Sequence, residues 1–189
     1  EDSDGDIWVA TNNGIGCYHT RTKKWTTLLS SHDLGRQDQN YVYISLCEST
    51  PGTILVGGYM SGMYRINKKD MQPQYFSPQA EGYTNIRPDK YIRSIYRDKE
   101  GTVWAGGYYN FKGMNFATGE INHYQTEYPI TVITSKSAEE LWVGTVNGIY
   151  KFNKKNKGFT QEPSLANIGT VNSIYQANDE LTYIGTSGS

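Results

Sequence analysis

The chain has 189 residues, among them 20 glycines, 16 tyrosines and only 6 prolines. This composition argues against disorder and favours many short strands joined by tight turns, around a core that depends on aromatic side chains. The 18 Lys and Arg residues nearly balance 19 Asp and Glu residues, and the net charge of −1 excludes a general phosphate-binding surface, so we expect no nucleic-acid partner. No apolar run reaches the ~18 residues of a membrane span, so we expect no membrane contact by this segment.

An internal repeat organises the whole sequence. One apolar pattern, typified by Val103-Trp104-Ala105-Gly106-Gly107, recurs five times, at 7–11, 54–58, 103–107, 141–145 and 182–186. A second pattern, typified by Ile92-Arg93-Ser94-Ile95, precedes four of these, always with an offset of nine residues from the equivalent of Ile95 to that of Trp104. A third pattern begins with glycine, and a weaker fourth ends in aromatic residues. Four short segments over about 40–45 residues are the period of a four-stranded propeller blade.

Taken in chain order, the predicted strands form three complete units with half a unit at each end. The units are a partial blade over 1–28, complete blades over 41–78, 91–128 and 130–163, and a partial blade over 171–189. The fold class is therefore all-β: a β-propeller of four-stranded antiparallel blades, present as a partial propeller. Because propellers close as rings of ~4–8 blades, we expect this chain to meet further blades or a neighbouring domain of the same protein. Pairing of two copies into a homodimer is an alternative.

The Trp-containing segments are apolar at consecutive positions, which predicts that both faces of these strands are buried between neighbouring blades. We expect Trp8, Trp104 and Trp142 to occupy equivalent, mostly buried positions. The glycine or alanine that follows them should allow close approach of a neighbouring backbone. The segments Lys68-Lys69-Asp70 and Lys154-Lys155-Asn156 fall in the turns between third and fourth strands, where the sequence predicts solvated tips.

The sequence offers no metal-binding motif. Alternating aspartates at 2–6 could begin a calcium loop, but an EF-hand needs Gly at its sixth position and Glu at its twelfth, where this chain has Ile7 and Asn13. A β-turn is therefore predicted at 2–6. Cys17 and Cys47 are too few for a disulfide framework or a zinc site, and we expect two buried thiols, with one bridge between them as the alternative. The three histidines lie far apart, without His-x-x-x-His spacing.

Catalytic motifs are likewise absent from the sequence. Gly101 stands three residues before Trp104, as in the Asp-boxes of sialidase-like propellers, but Lys99 occupies the place of the aspartate. No acidic residue recurs at a fixed place to pair carboxylates for glycoside hydrolysis, and there is no P-loop, dinucleotide or Gly-x-Ser-x-Gly fingerprint. We expect no catalytic residue and no cofactor in this segment, with a carbohydrate-active propeller enzyme as a distant alternative.

The repeat unit has a defined residue pattern: hydrophobic-x-Ser-Ile, an Asp-x-x-Gly turn, hydrophobic-Trp-hydrophobic-Gly-Thr, an Asn-Gly turn and Gly-hydrophobic-x-x-aromatic. Residues 92–106, 141–150 and 2–15 fit all or part of it. In these features the unit resembles the two-component regulator propeller repeat, and the resemblance covers essentially the whole chain. The unit from Tyr41 to Pro78 departs most, because Leu55 replaces Trp.

The resemblance implies a non-enzymatic, ligand-sensing segment in the periplasmic sensor region of a hybrid two-component system, a type best known in gut Bacteroidetes. Such regions form seven-bladed propellers, usually two in tandem, followed by an immunoglobulin-like spacer, one membrane helix and a histidine kinase. Their ligands are oligosaccharides. The resemblance thus implies a periplasmic segment of an inner-membrane protein with an oligosaccharide partner. A structural or protein-interaction propeller is the alternative, because Tyr, Trp and Arg favour sugar and protein interfaces alike.

In a propeller, the connections between second and third strands and those between blades emerge on one face. Here they are rich in aromatic and polar residues, which offer ring faces to sugar CH groups and planar donors to sugar hydroxyls. We expect Tyr59, Tyr108 and Tyr109 to share this face, where an insertion lengthens one loop. The candidate ligand-binding residues are Tyr59, Tyr108, Tyr109, Asn110, Asn147, Arg87 and Tyr91.

Overall fold

The computed structural model describes residues 1–30, 42–76, 91–108, 110–178 and 181–188. These residues form 17 β-strands and no helix, arranged as five antiparallel sheets in chain order. The first sheet contains β1 (Ile7–Thr11), β2 (Gly14–His19) and β3 (Lys24–Leu28). The second contains β4 (Val42–Thr50), β5 (Thr53–Tyr59), β6 (Gly62–Asn67) and β7 (Gln72–Tyr75).

The remaining sheets repeat the same up-and-down order. The third contains β8 (Ile92–Arg97), β9 (Val103–Gly107), β10 (Asn110–Asn115) and β11 (Glu120–Gln125). The fourth contains β12 (Ile130–Ser135), β13 (Glu140–Thr145), β14 (Gly148–Asn153) and β15 (Gly158–Ala166). The fifth contains β16 (Thr170–Gln176) and β17 (Thr182–Ser187). Three four-stranded sheets flanked by two smaller ones confirm the predicted all-β partial propeller.

The first strands of successive sheets contact one another, β4 with β8, β8 with β12, and β12 with β16. Each carries a register shift at the same place, for example between Ile92 and Ser94. The bulge lets serine side chains of this strand reach the next sheet. The Ser45 hydroxyl accepts the Ile95 backbone N–H at 2.7 Å, and the Ser94 hydroxyl accepts that of Ile133 at 2.9 Å. The serine of the repeat motif therefore links neighbouring sheets.

Glycines that follow the Trp position receive side chains from the next sheet. The pairs are Gly57 with Ile92, Gly106 with Ile130 and Gly144 with Val171. A Cβ atom on Gly106 would lie 2.8 Å from Cγ2 of Ile130, closer than side chains pack, and Ile130 is fully buried. The sequence predicted close approach of a neighbouring backbone at the glycines after the Trp position. Backbone carbonyls do approach Gly58 and Gly107, but the prediction is wrong for Gly57, Gly106 and Gly144. The neighbour is a β-branched side chain, because the first strand of the next sheet points its side chains across the gap.

The three tryptophans occupy equivalent positions, as predicted. Trp8, Trp104 and Trp142 each pair in register with the fourth residue of the following strand. Trp104 is only 3% exposed, whereas the other two are half-buried. Strand β9 is buried along its whole length, but Ile7 and Val9 of β1 are exposed. Burial of both strand faces therefore fails in the first sheet, which has a described neighbour on one side only.

Aromatic side chains fill the core between the third and fourth sheets. The ring centroids of Phe111 and Phe152 lie 4.9 Å apart, and those of Phe111 and Trp104 lie 5.1 Å apart. Phe159 packs against the same group, at 5.4 Å from Phe111. Large rings supply the apolar contact that the small number of aliphatic residues cannot.

Lys68 and Lys154 bridge neighbouring sheets, so the prediction of solvated turn tips is wrong for both. Nζ of Lys68, in the second sheet, lies 2.9 Å from an Asp2 carboxylate oxygen ahead of the first sheet. Nζ of Lys154, in the fourth sheet, lies 3.2 Å from Oδ2 of Asp98 and 2.6 Å from Glu100, both in the turn of the third sheet. Asp2 and Asp98 are buried, and a buried carboxylate is costly unless it is paired. Lys68 and Lys154 provide the paired cations.

Asp2 and Asp98 also accept hydrogen bonds from the tryptophans of their own sheets. Nε1 of Trp8 donates to Asp2 and Nε1 of Trp104 donates to Asp98, both at 2.8 Å. The Gly5 N–H donates to the Asp2 carbonyl, which confirms the predicted β-turn at 2–6. Burial favours a higher pKa for Asp2, but hydrogen bonds from Lys68, Trp8 and the backbone outweigh it and lower the pKa to about 2. Asp2 is therefore an anion at neutral pH.

The second and third sheets make an apolar contact where the sheet pairs before and after them have a Lys–Asp pair. Phe116 takes the place of Lys68 and packs against Phe76, with ring centroids 5.8 Å apart. Leu55 and Ser49 take the places of the tryptophan and aspartate. The lysine, the tryptophan and the aspartate are thus all replaced between these two sheets, so their contact needs no buried Lys–Asp pair.

Replacing Gly106 by alanine should destabilise the protein by about 1–3 kcal/mol, because the added methyl group overpacks a filled contact. Ile130→Ala makes room for that methyl group. The double variant should therefore lose less stability than the sum of the two single variants. Urea unfolding of all four proteins measures this coupling, and strictly additive losses would show that the two residues do not share the contact.

Lys154→Met should lower the free energy of unfolding by about 1–3 kcal/mol, because the buried carboxylate of Asp98 loses its cation. Lys155→Met is the matched control, since Lys155 is adjacent in sequence but exposed, and its effect should stay within about 0.5 kcal/mol. Thermal unfolding of the two variants makes the comparison. Equal stabilities would contradict the bridging role of Lys154.

Candidate ligand-binding face

Three tyrosines from two sheets form a continuous group at the edge where the connections between second and third strands emerge. Tyr59 ends β5, Tyr91 forms an isolated bridge with Tyr59, and Tyr108 follows β9. The ring centroids of Tyr59 and Tyr91 lie 4.8 Å apart, and those of Tyr91 and Tyr108 lie 5.0 Å apart. We call these residues the tyrosine row.

Glycine allows the tyrosine row to form. A Cβ atom on Gly107 would overlap the carbonyl oxygen of Tyr91, so the backbone of Tyr91 presses directly against the end of β9. Tyr59 is 40% exposed and Tyr108 is 41% exposed, and Met60, which follows Tyr59 in the chain, is also exposed. The row therefore presents aromatic surface to solvent while its backbone is fixed by the sheets.

The other predicted residues fall into two groups. Asn110 begins β10, two residues after Tyr108, and Asn147 lies in the turn between β13 and β14 at the same edge of the next sheet. The backbone N–H of Asn147 donates to Oγ1 of Thr145 at 3.0 Å, which fixes this turn. Tyr109 and Arg87 lie outside the described residues. The structure thus brings Tyr59, Tyr91 and Tyr108 together, with the two asparagines along the same edge.

A cavity of about 180 Å³ continues this edge between the third and fourth sheets. Its walls include Gln125, Glu127, Tyr128 and Tyr150. Gln125 is the cross-strand partner of Asn110, which connects the cavity to the end of the tyrosine row. Burial raises the pKa of the Tyr150 hydroxyl, and the carboxylate of Glu127 adds to the effect, so the hydroxyl stays protonated and can donate a hydrogen bond.

The sequence did not predict this cavity. Its lining comes from the end of β11, from the short connection between β11 and β12, and from residues of β13, β14 and β15. The tyrosine at 128 and the acid at 127 lie in a connection between blades, which is the signal that could have included them. Phe159 and Tyr150 could not have been selected, because they fit the pattern of ordinary blade packing.

The comparisons with known proteins agree with the propeller fold. The fold and its repeats define a β-propeller repeat protein. A family model described as two component regulator propeller matches residues 86–109, so the chain carries a repeat of that family and the resemblance is confirmed. The matched segment includes Tyr91 and Tyr108 of the tyrosine row. A search of the curated proteins found no match.

Several solved structures share the fold. The extracellular domain of a protein assigned as a hybrid two-component system in B. thetaiotaomicron has 22% identity and a TM-score of 0.70, covering 97% of this chain and 24% of that chain. The extracellular domain of a one-component system from the same organism has 19% identity and a TM-score of 0.68, covering 99% and 26%. PorZ, a surface component of the type-IX secretion system of Porphyromonas gingivalis, has 20% identity and a TM-score of 0.71, covering 98% and 30%.

The chain therefore spans about a quarter of the length of the two B. thetaiotaomicron structures. At these identities the likeness establishes the propeller fold. Within the described part of the chain, no helix has the length and apolar character needed to cross a membrane.

Gly107→Ala should separate the Tyr91 backbone from β9 and lower the thermal midpoint, because the new methyl group meets a backbone carbonyl that cannot move aside alone. Gly16→Ala is the control, since its Cβ would meet only the exposed Trp25 side chain. Thermal unfolding and near-ultraviolet circular dichroism of the tyrosines measure both effects. A Gly107 variant as stable as the Gly16 variant would contradict the close approach.

Proposed function

We propose that this chain is a non-enzymatic, ligand-sensing segment of a periplasmic two-component sensor. In this proposal it binds an oligosaccharide and contributes to signalling across the membrane to a histidine kinase. The tyrosine row is the single observation that carries the proposal. Rings, amides and hydroxyls gathered at one edge suit binding of a sugar without making or breaking bonds.

The geometry of the tyrosine row favours an extended ligand. Its neighbouring rings are inclined at 67° and 55°, so they form a stepped wall that offers both faces and edges. The row spans the second and third sheets, and the cavity at Tyr128 and Tyr150 continues to the fourth. A ligand of several sugar units would follow this edge, with CH groups against the rings and hydroxyls toward Asn110 and Asn147.

The comparisons support the sensor role. The matched family is named for two-component regulators, and two structural neighbours are extracellular domains of bacterial one- and two-component systems. An extracellular or periplasmic location agrees with those neighbours. The kinase, the membrane helix and the transmission of the signal belong to the proposal for the whole protein.

A protein-interaction module is the second candidate. Exposed Met60 follows Tyr59 in the chain, and aromatic residues with methionine are enriched at protein interfaces. PorZ, which shares the fold, is a component of a secretion system. In this alternative the same edge docks a partner domain.

Calorimetric titration of the intact protein with a panel of oligosaccharides tests the proposal. Tyr59→Ala and Tyr108→Ala should each weaken binding about tenfold, because a stacked ring contributes on the order of 1.4 kcal/mol. Tyr175→Ala is the matched control, since Tyr175 is an exposed tyrosine of the fifth sheet and should not change the affinity.

Two results would overturn the proposal. One is that the folded protein binds no oligosaccharide of the panel. The other is that binding is unchanged in both tyrosine-row variants. Loss of a protein partner with the same variants, and no sugar binding, would establish the protein-interaction candidate instead.

A further inference from the structure

Three different metal-ligand side chains converge in the first sheet, away from the tyrosine row. Asp6 precedes β1, and Cys17 and His19 lie on β2. Nδ1 of His19 lies 2.8 Å from Oδ2 of Asp6 and 3.8 Å from Sγ of Cys17. All three ligand atoms lie within 4.8 Å of one another.

The strand geometry brings these residues together. Cys17 and His19 are two residues apart on one strand, so their side chains share a face. The register pairs Ile7 with Tyr18 and Trp8 with Cys17, which brings Asp6 opposite His19. The cluster is therefore fixed by the pairing of two well-defined strands.

The outer atoms of the cluster are held by further hydrogen bonds. Nε2 of His19 lies 3.0 Å from Oγ1 of Thr26 on β3, and the backbone N–H of Thr20 donates to Oδ1 of Asp6 at 3.0 Å. These contacts direct Nδ1 and Oδ2 toward Cys17. Metal-binding histidines and carboxylates are commonly oriented by such outer hydrogen bonds.

A nucleophilic triad does not explain the arrangement. Asp6 and Cys17 both face the same nitrogen of His19, whereas a triad uses one nitrogen for each partner. Burial, followed by the carboxylates of Asp6 and Asp2, raises the pKa of the Cys17 thiol to about 11, so the thiol is protonated at neutral pH. Asp2 is already paired with Lys68, and a cation at this place would offset the carboxylate of Asp6.

We propose that Asp6, Cys17 and His19 bind a zinc ion, with water as the fourth ligand. Tetrahedral zinc places a sulfur and a nitrogen ligand about 3.5 Å apart, and a nitrogen and an oxygen ligand about 3.3 Å apart. The observed 3.8 and 2.8 Å separations reach these values with small side-chain shifts. Cys17 is fully buried, while the Asp6 and His19 side chains are 21% and 28% exposed, so the ion and its water would enter from their side.

Binding changes the protons of the site in a defined way. The Cys17 thiol releases its proton to solvent and coordinates as a thiolate. Nδ1 of His19 gives up the proton of its hydrogen bond to Asp6 and coordinates the ion. In the neutral imidazole this proton moves to Nε2, which then donates to Thr26, so the thiol proton is the one released. Because zinc competes with protons for these ligands, the affinity should rise with pH. The sequence predicted no metal, because two cysteines are too few for an all-cysteine zinc site, the EF-hand positions do not match and the histidines lack His-x-x-x-His spacing. The proposed site instead combines one cysteine, one histidine and one aspartate.

Titration of the intact protein with Co²⁺, a spectroscopic substitute for zinc, tests the site. The wild-type protein should give a saturable thiolate-to-cobalt charge-transfer band at one equivalent, and Zn²⁺ should abolish it. Cys17→Ser should remove the band, and His19→Gln should weaken binding at least tenfold. Cys47→Ser is the matched control, because Cys47 is the second thiol and lies on β4; it should keep the full band.

A measurement on the wild-type protein alone covers the case in which a variant does not fold. Saturating Zn²⁺ should raise the midpoint of thermal unfolding, and titration in buffers of different ionisation enthalpy should report release of about one thiol proton. A folded wild-type protein without the cobalt band, or a Cys17→Ser variant that retains it, would overturn the proposal. Either result leaves the proposed sugar binding untouched.

Discussion

The third, fourth and fifth sheets each pack a β-branched side chain of their first strand against a glycine of the preceding sheet. Ile130 against Gly106 is typical: the glycine has no Cβ, and the isoleucine fills the space that a side chain would occupy. This contact sets how closely two sheets approach. The serine hydrogen bonds between first strands and the aromatic core between the third and fourth sheets both require that spacing.

The tyrosine row depends on the same spacing. Tyr59 belongs to the second sheet and Tyr108 to the third, and Tyr91 lies between them. If the two sheets stood farther apart, the rings would be separate exposed side chains instead of a continuous surface. The stacking of blades therefore forms a candidate binding edge in which residues at or next to the strand ends carry the rings.

Periodicity in the sequence predicted what each repeat does by itself. The nine-residue offset before the tryptophan predicted the first two strands of each blade. Tyr59 and Tyr108 both fall between a second and a third strand, which predicted that they lie on one edge. Contacts between repeats were harder to predict. Lys154 meets Asp98 from 56 residues away, and a lysine in a polar turn looks the same in sequence whether it is solvated or paired. The grouping of Asp6 with Cys17 and His19 required the exact strand register, which alternation along one strand does not supply.

The contacts between successive sheets differ in chemistry. Lys68 with Asp2 is charged, Phe116 with Phe76 is aromatic, and Lys154 with Asp98 is charged again. Chains built from similar units can assemble those units in the wrong order while they fold. A third sheet placed on the first would bring Phe116 in the place of Lys68 and leave Asp2 without that cation. A fourth sheet placed on the second would bring Lys154 toward Ser49 in the place of Asp98. The alternation of charged and aromatic contacts therefore favours the native order of the sheets and disfavours misassembly of this repetitive chain.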